Sequence, residues 1–526
     1  MPRPLPLKGL TREALKGLAR DGAPRLRSTA AAFTSMTALA ATSLVTAPAL
    51  AEPLAAPCVL RRTPAHHSEG VDTWNASYPR PTRALDAVMV FLSFPDSAPM
   101  TTPDELTADY FPDTTRFFER ASYGKFTLRP HPQHRWIRMP RASTAYAIRR
   151  DWNAAHRGAY LRDALRAADG QIDFSRYDIV YFVADPDAPG VDSDATKVVN
   201  LDTPLRADGK EIRRVVTVFE KHPPDRLVLA HETGHVFDLP DLYHRPTDGK
   251  GDWDTHVGDW DLMGSQFGLS PDLFGWHKWK LGWLDPHQVT CVKGSGSTRL
   301  TLEPLSTGPA ETAAAGPPVT EAAESGTPGS GGVPPRPAGR IPGSGDQAPA
   351  AAAEAEADAG AGSGSSGAGS SGAGRRSLVS GAQPVGSGGR IVGSSERPIG
   401  SGIPAVGLGA RTLGTGRGTK LAVVRTGPDS ALGIEVRAPA GNDGSTCTQG
   451  VLVYRVRSQT ESGSGPIEVL DAHPRSEGCW GDSVYPPLAD APVGVGESFT
   501  VPGENVSVEV EDRTASGSWT VKITPH

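Results

Sequence analysis

The chain is poor in the features that mark several common protein classes. It has only four cysteines in 526 residues, 6% aromatic residues, and no dense run of Lys and Arg. Its formal charge is -6, from 53 basic and 59 acidic residues. With no basic patch in the sequence, nucleic acid is not expected as a main partner. No stretch beyond the first fifty or so residues is apolar enough to span a bilayer, so no stable membrane anchor is expected. One local absence matters more than these. Between Glu232 and Glu303 there is no glutamate at all.

The first part of the chain has the pattern of an export signal. Basic residues from Arg3 to Arg27 precede the weakly apolar run STAAAFTSMTALAATSLVTAPALA, which ends in Ala49-Leu50-Ala51. Small residues flanking a large one predict a signal peptide over 1–51, cleaved after Ala51, and a secreted, extracellular protein. The run is short, rich in alanine and broken by Pro48, unlike an anchor. The basic region holds no twin arginine, which favours the general secretory route.

All four cysteines lie beyond that cut, and an even number in an exported chain predicts two disulfides. Of the three pairings, Cys447–Cys479 with Cys58–Cys291 is expected, because it closes one local loop and ties down the mature N-terminus. A rival role for Cys58 is to cap a metal in a latent precursor, which would leave Cys291 unpaired.

Gly (60) and Pro (48) are abundant and concentrated in one region. From 308 to 416 the composition collapses to Ala, Gly, Ser, Pro and scattered Glu, as in AAAEAEADAGAGSGSSGAGSSGAG. Such a stretch has little to bury and predicts a long disordered loop. The flanks STRLTLEPL and TKLAVVRT alternate apolar and polar residues, as half-buried strands do. Later pieces, GVLVYRVRS and VSVEVEDRT among them, read the same way. One all-β sandwich module over 288–307 and 417–526, interrupted by the 308–416 insertion, is therefore expected, since closing a long loop costs little extra. Residues 52–85 form an N-terminal extension. Over 86–287, LDAVMVFLSF, YDIVYFVAD and RRVVTVFE read as strands, while TTRFFERASYG and HRGAYLRDALRAAD read as helices. That mixture predicts an α/β domain.

Within that domain stands HETGHVFDLPDLYH, residues 231–244. Pro223 and Pro224 precede it, and Asp225 is placed to cap a helix start. His231 and His235 are four apart, so a helix projects both imidazoles from one side, where one Zn2+ can take a nitrogen from each. Glu232 is then placed as the general base that takes a proton from a zinc-activated water. A buried histidine pair beside a solvated glutamate is the plain structural alternative. A third ligand is required, and the missing glutamates close the route through a later helix. The other route supplies it just after a sharp turn. Pro240 ends the helix, and Asp241 follows, ten residues after His231, with His244 the second choice. This spacing is similar to the metzincin pattern HExxHxxGxxH/D, with Asp238 where the pattern has glycine; aspartate tolerates left-handed geometry. Met263-Gly264 in VGDWDLMGSQFG resembles the metzincin turn that sets a methionine beneath the metal.

Taken in order, VMVFLSFPD, RASYGKFTL, HETGHVFDLPDLY, VGDWDLMG and PDLFGWHKWKLGWL resemble the immune inhibitor A family of secreted zinc metallopeptidases (the M-six type), within the metzincins. The match spans roughly 88–284. It implies a zincin-like α/β catalytic domain, His231 and His235 as ligands, the LPD aspartate at Asp241, and Glu232 as general base. The chain departs from the family at Asp238 and at His244, where relatives carry glycine and an acidic residue. The acidic group Asp248, Asp252, Asp254 and Asp259 is a candidate Ca2+ site or a solvated loop.

The expected function is that of a secreted, monomeric zinc metalloendopeptidase acting on protein or peptide substrates. The alternatives are a catalytically silent secreted binding protein with a relic zinc domain, and a zinc hydrolase of non-peptide amides.

Overall fold

The computed structural model describes residues 58–62, 69–225, 227–246, 252–308, 418–476, 478–479 and 481–526. The expected signal peptide (1–51), the insertion apart from Gly308, and Asp248 lie outside the described residues.

The strand β1 (Leu85–Ser93) is apolar at nearly every position because both of its faces are covered. Val88, Val90 and Leu92 enter one apolar cluster, and Ala87, Met89 and Phe91 enter another. The chain then forms α1 (Pro103–Tyr110) and α2 (Asp113–Ala121). Thr102 and Glu105 start α1 with a reciprocal capping box. Next come β2 (Leu128–Pro132), β3 (Ile137–Arg138) and α3 (Ala154–Asp169), whose first amides bond to the Asn153 side chain. Then follow β4 (Ile179–Ala184), β5 (Lys197–Ala207) and β6 (Lys210–Val218).

These strands make one sheet in the order β2-β1-β4-β6-β5, with β3 also on β1. Pairing is parallel except for β5, which runs antiparallel to β6 at the sheet edge. Helix α3 packs its Tyr160, Leu161, Ala164 and Ala168 on one face. The other face carries α2 and α4 (Val228–Val236), through Phe117, Phe118, Leu229 and Val236. Helix α5 (Gly275–Leu281) contributes Trp276 and Leu281 to that same cluster. No helix among the described residues is long and apolar enough to cross a membrane.

The remaining strands are β7 (Val289–Val292), β8 (Thr298–Leu302), β9 (Leu421–Arg425), β10 (Ser430–Arg437), β11 (Gly450–Arg457), β12 (Ile467–Val469), β13 (Ser498–Thr500), β14 (Val506–Arg513) and β15 (Trp519–Pro525). They form two sheets, β12-β11-β10-β9-β7 and β13-β14-β15-β8. Strands from before residue 308 thus pair directly with strands from after 418: β7 with β9, and β8 with β15. Val424, Ile434 and Val453 of the first sheet share a cluster with Val508, Val521 and Ile523 of the second. The opposite face of the first sheet, through Val423, Leu452 and Tyr454, joins the cluster around α4. One layer therefore serves both halves of the chain.

Cys58 lies against Cys291 with Cα atoms 5.8 Å apart, and Cys447 against Cys479 at 6.1 Å, both as disulfides. Cys58 is thereby committed to Cys291 and not to the histidines.

Candidate metal centre

Helix α4 is buried along its whole length. It begins after Leu227, which has φ 62° and gives no side-chain cap. Asp225 does not cap it, because its carboxylate accepts instead from Gln266 Nε2 at 3.3 Å. The tight position on the helix is Gly234, where a β-carbon would stand 2.5 Å from the Met263 sulfur. Met263 is fully buried, and its carbonyl accepts from Leu242 N–H at 2.9 Å.

The helix ends in a left-handed turn. Asp238 has φ 66°, and its carboxylate meets Lys280 Nζ at 2.9 Å, Arg62 Nη1 at 3.6 Å and the Asn75 N–H at 3.2 Å. Burial raises its pKa to about 6, against the lowering effect of Lys280 and Arg62. Turn and anchor together deliver Asp241 back toward the helix. Asp241 Oδ1 lies 3.0 Å from His235 Nε2 and 3.3 Å from His231 Nε2. The ligand-type atoms of His231, His235 and Asp241 all fall within 4.8 Å of one another, the one such metal-ligating group among the described residues.

The far side of each imidazole explains its orientation. His231 Nδ1 meets the Leu262 carbonyl at 2.9 Å and His235 Nδ1 meets the Leu239 carbonyl at 2.8 Å. A carbonyl only accepts, so each Nδ1 carries a proton, and in the neutral imidazole it is Nε2 that offers a lone pair. Both Nε2 atoms and Asp241 Oδ1 are buried without a hydrogen-bond partner of proper geometry. Orphaned buried polar atoms are costly, and three of them facing one point suit a divalent cation.

Glu232 is fully buried beside them. Its Oε2 accepts from Val198 N–H of the edge strand β5 at 2.8 Å, while Oε1 has no partner. Burial pushes its pKa up, with Asp241 adding and the two histidines opposing. Burial alone would lower His235, but the Asp241 carboxylate outweighs that and lifts it to about 10. Asp241 itself is held below the usual carboxylate range: burial would raise it, and the two histidines win. Asp241 thus stays ionised beside the two imidazoles, where it attracts positive charge.

His244, the second choice for third ligand, is elsewhere. Its N–H donates to the Trp253 carbonyl at 2.6 Å, and its ring packs at 5.3 Å on His256. The acidic group is not drawn together as a metal site among the described residues. Asp259 instead accepts from Leu269 and Val484 N–H at 3.0 and 3.2 Å and from the Ser483 hydroxyl, while burial lifts Asp254 to about 6.

Several residues around the centre have no local sequence signal. Asp261 in the WDLM segment accepts from Phe274 N–H at 2.7 Å and from Met263 N–H at 2.8 Å, which shapes the turn. Arg437 of β10, wholly buried, donates to the Trp260, Ser270 and Asp272 carbonyls at 2.8, 2.9 and 3.0 Å. Glu69 of the N-terminal extension accepts from Asn200 of β5 at 2.8 Å. The local sequence signals in this region are the LPD and WDLM segments. No protein-family model and no curated protein matches the chain.

Proposed function

We propose that the chain is a secreted zinc-dependent endopeptidase, with an α/β zincin-like (metzincin) catalytic domain and a C-terminal β-sandwich module. The reading is carried by one observation: His231 Nε2, His235 Nε2 and Asp241 Oδ1 converge, buried and unpartnered, beside Glu232. A zinc ion bound there supplies a Lewis acid that polarises a carbonyl and brings the pKa of water toward neutrality.

The chain's own groups do the remaining work. The two Nδ1–H bonds hold the imidazoles in the tautomer that offers Nε2. Glu232 is anchored at Oε2 by Val198, so Oε1 is left to take a proton from the attacking water and pass it to the leaving amine. The strand that anchors it, β5, is the last in its sheet. An extended peptide is the ligand that a sheet edge recognises through main-chain hydrogen bonds, which supports a protein substrate over a small amide. The two disulfides support an oxidising, extracellular setting.

The test is Glu232→Gln in the full chain. It should keep about one zinc per molecule and the wild-type melting temperature while losing cleavage of casein by about 10²-fold or more. Cleavage at the wild-type rate refutes the general-base role, and wild-type protein that takes up no zinc refutes the metal reading.

A further inference from the structure

Asp241 is not held in place by its own domain alone. Its N–H donates to Ser462 Oγ at 2.9 Å, and its carbonyl accepts from Gly463 N–H at 3.0 Å. The Ser462 hydroxyl in turn reaches Asp241 Oδ2 at 3.4 Å. Farther along, Arg245 N–H donates to the Gly463 carbonyl at 3.1 Å, and His244 pairs with Ser464 in an antiparallel bridge. The loop between β11 and β12 therefore lies along residues 241–245 as a short added strand. Two glycines shape it: Gly463 and Gly465 have φ 74° and 77°, and a β-carbon at 465 would meet the His256 ring at 2.8 Å.

The geometry points to Ser462 as a positioning residue for the third metal ligand, which makes the C-terminal β module part of the metal centre. This rests on the reading of His231, His235 and Asp241 as that centre. The argument is one of oxygen assignment. A carboxylate free to rotate offers either oxygen to the imidazoles and loses entropy when a cation fixes it. The Ser462 hydroxyl engages Oδ2 and the backbone of the same residue, and the Tyr243 hydroxyl also bonds the carboxylate, while Oδ1 faces both Nε2 atoms. Outer partners of this kind orient metal ligands, and losing one weakens metal binding about 10–100-fold. Arg437 of the same module also holds the loop that carries Met263.

The experiment compares full-length wild type, S462A and S462T, each titrated with Co2+ against a competing chelator, with the visible d–d spectrum recorded. Wild type should bind one Co2+ with the absorption of a low-coordinate site. S462A should keep the metal-free melting temperature yet bind about 10–100-fold more weakly with an altered spectrum, and S462T, which retains the hydroxyl, should restore both. If S462A does not fold, S462G serves in its place, since it also lacks the hydroxyl. Wild-type affinity and spectrum in a folded hydroxyl-less variant overturn the positioning role while leaving the metal reading intact. A wild-type chain that binds no Co2+, or binds it equally well as His235→Ala, overturns the metal reading and the positioning role with it.

Discussion

Gly234 rests directly on Met263: a β-carbon added to the glycine would come within 2.5 Å of the methionine sulfur. Met263 is fully buried, so its sulfur has little room to move away. Gly234→Ala should therefore destabilise the protein by about 1–3 kcal/mol, the usual cost of overpacking. Shortening the partner in the double variant Gly234→Ala/Met263→Ala should make the two costs less than additive. Thermal melts of the four proteins measure this, and strict additivity would show that the two residues do not press on each other.

How much of this was legible beforehand depends on how local each cause is. His231, Glu232 and His235 follow from helical spacing, and Asp241 from its spacing after His231, although the helix stops at Val236 and turns at Asp238, ahead of Pro240. The continuous apolar run of β1 likewise carries its own burial, whereas β10 and β11 alternate like half-buried strands yet are buried at nearly every position, because both faces of their sheet are covered by distant segments. The helix start is not legible, because Asp225, placed to cap it, is claimed by Gln266 from a loop some forty positions away. Strand β5 is not legible because Asp202 and Pro204 fall where its pairing with β6 is irregular, between Asn200 and Leu205. Ser462 sits in SGSGP, which by composition reads as a simple turn. Its contact with Asp241 is non-local, and no period or spacing reports it.

Removing metal should cost stability as well as activity. Any ligand that binds only the folded chain stabilises it by mass action, about 2.7 kcal/mol at a hundredfold excess over Kd. Dialysis against a chelator should lower the melting temperature, and stoichiometric zinc should restore it. Equal melts with and without chelator would count against a structural contribution from the centre. Calcium added to the zinc-loaded protein provides the matching measurement for Asp252, Asp254 and Asp259, where a further rise in melting temperature would be required of a second site.

Glu220 gives a pH signature independent of the metal ligands. Burial, helped by Asp225, Glu232 and Asp194 and opposed by a Thr196 hydrogen bond, raises its pKa from 4.5 to about 7. A carboxyl whose folded pKa is raised contributes stability that is fully present below the unfolded value and lost as pH climbs through the folded one. Wild type should thus lose stability between pH about 4.5 and 7 from this group, on the order of 3 kcal/mol at most. Glu220→Gln should match wild type near pH 4 and exceed it at pH 8 in chemical denaturation. A variant that is less stable than wild type at pH 8 would reverse the sign and discard the account.

The choice between Asp241 and His244 rests on the same helix stop and is settled by two single substitutions. Asp241 reaches both Nε2 atoms, whereas His244 packs on His256 and spends its N–H on Trp253. Asp241→Asn keeps the shape and the oxygen but removes the charge that offsets a divalent ion. Its zinc affinity should fall by more than the about 10–100-fold expected for an outer partner. His244→Asn leaves all three inner atoms in place and should retain about one zinc per chain. Competition titrations on both variants report this directly. Were His244→Asn to lose zinc while Asp241→Asn kept it, the turn at Asp238 would have to open and swing the next imidazole inward. The ion pair from Asp238 to Lys280 opposes that movement, since the buried Lys280 ammonium would lose its carboxylate partner.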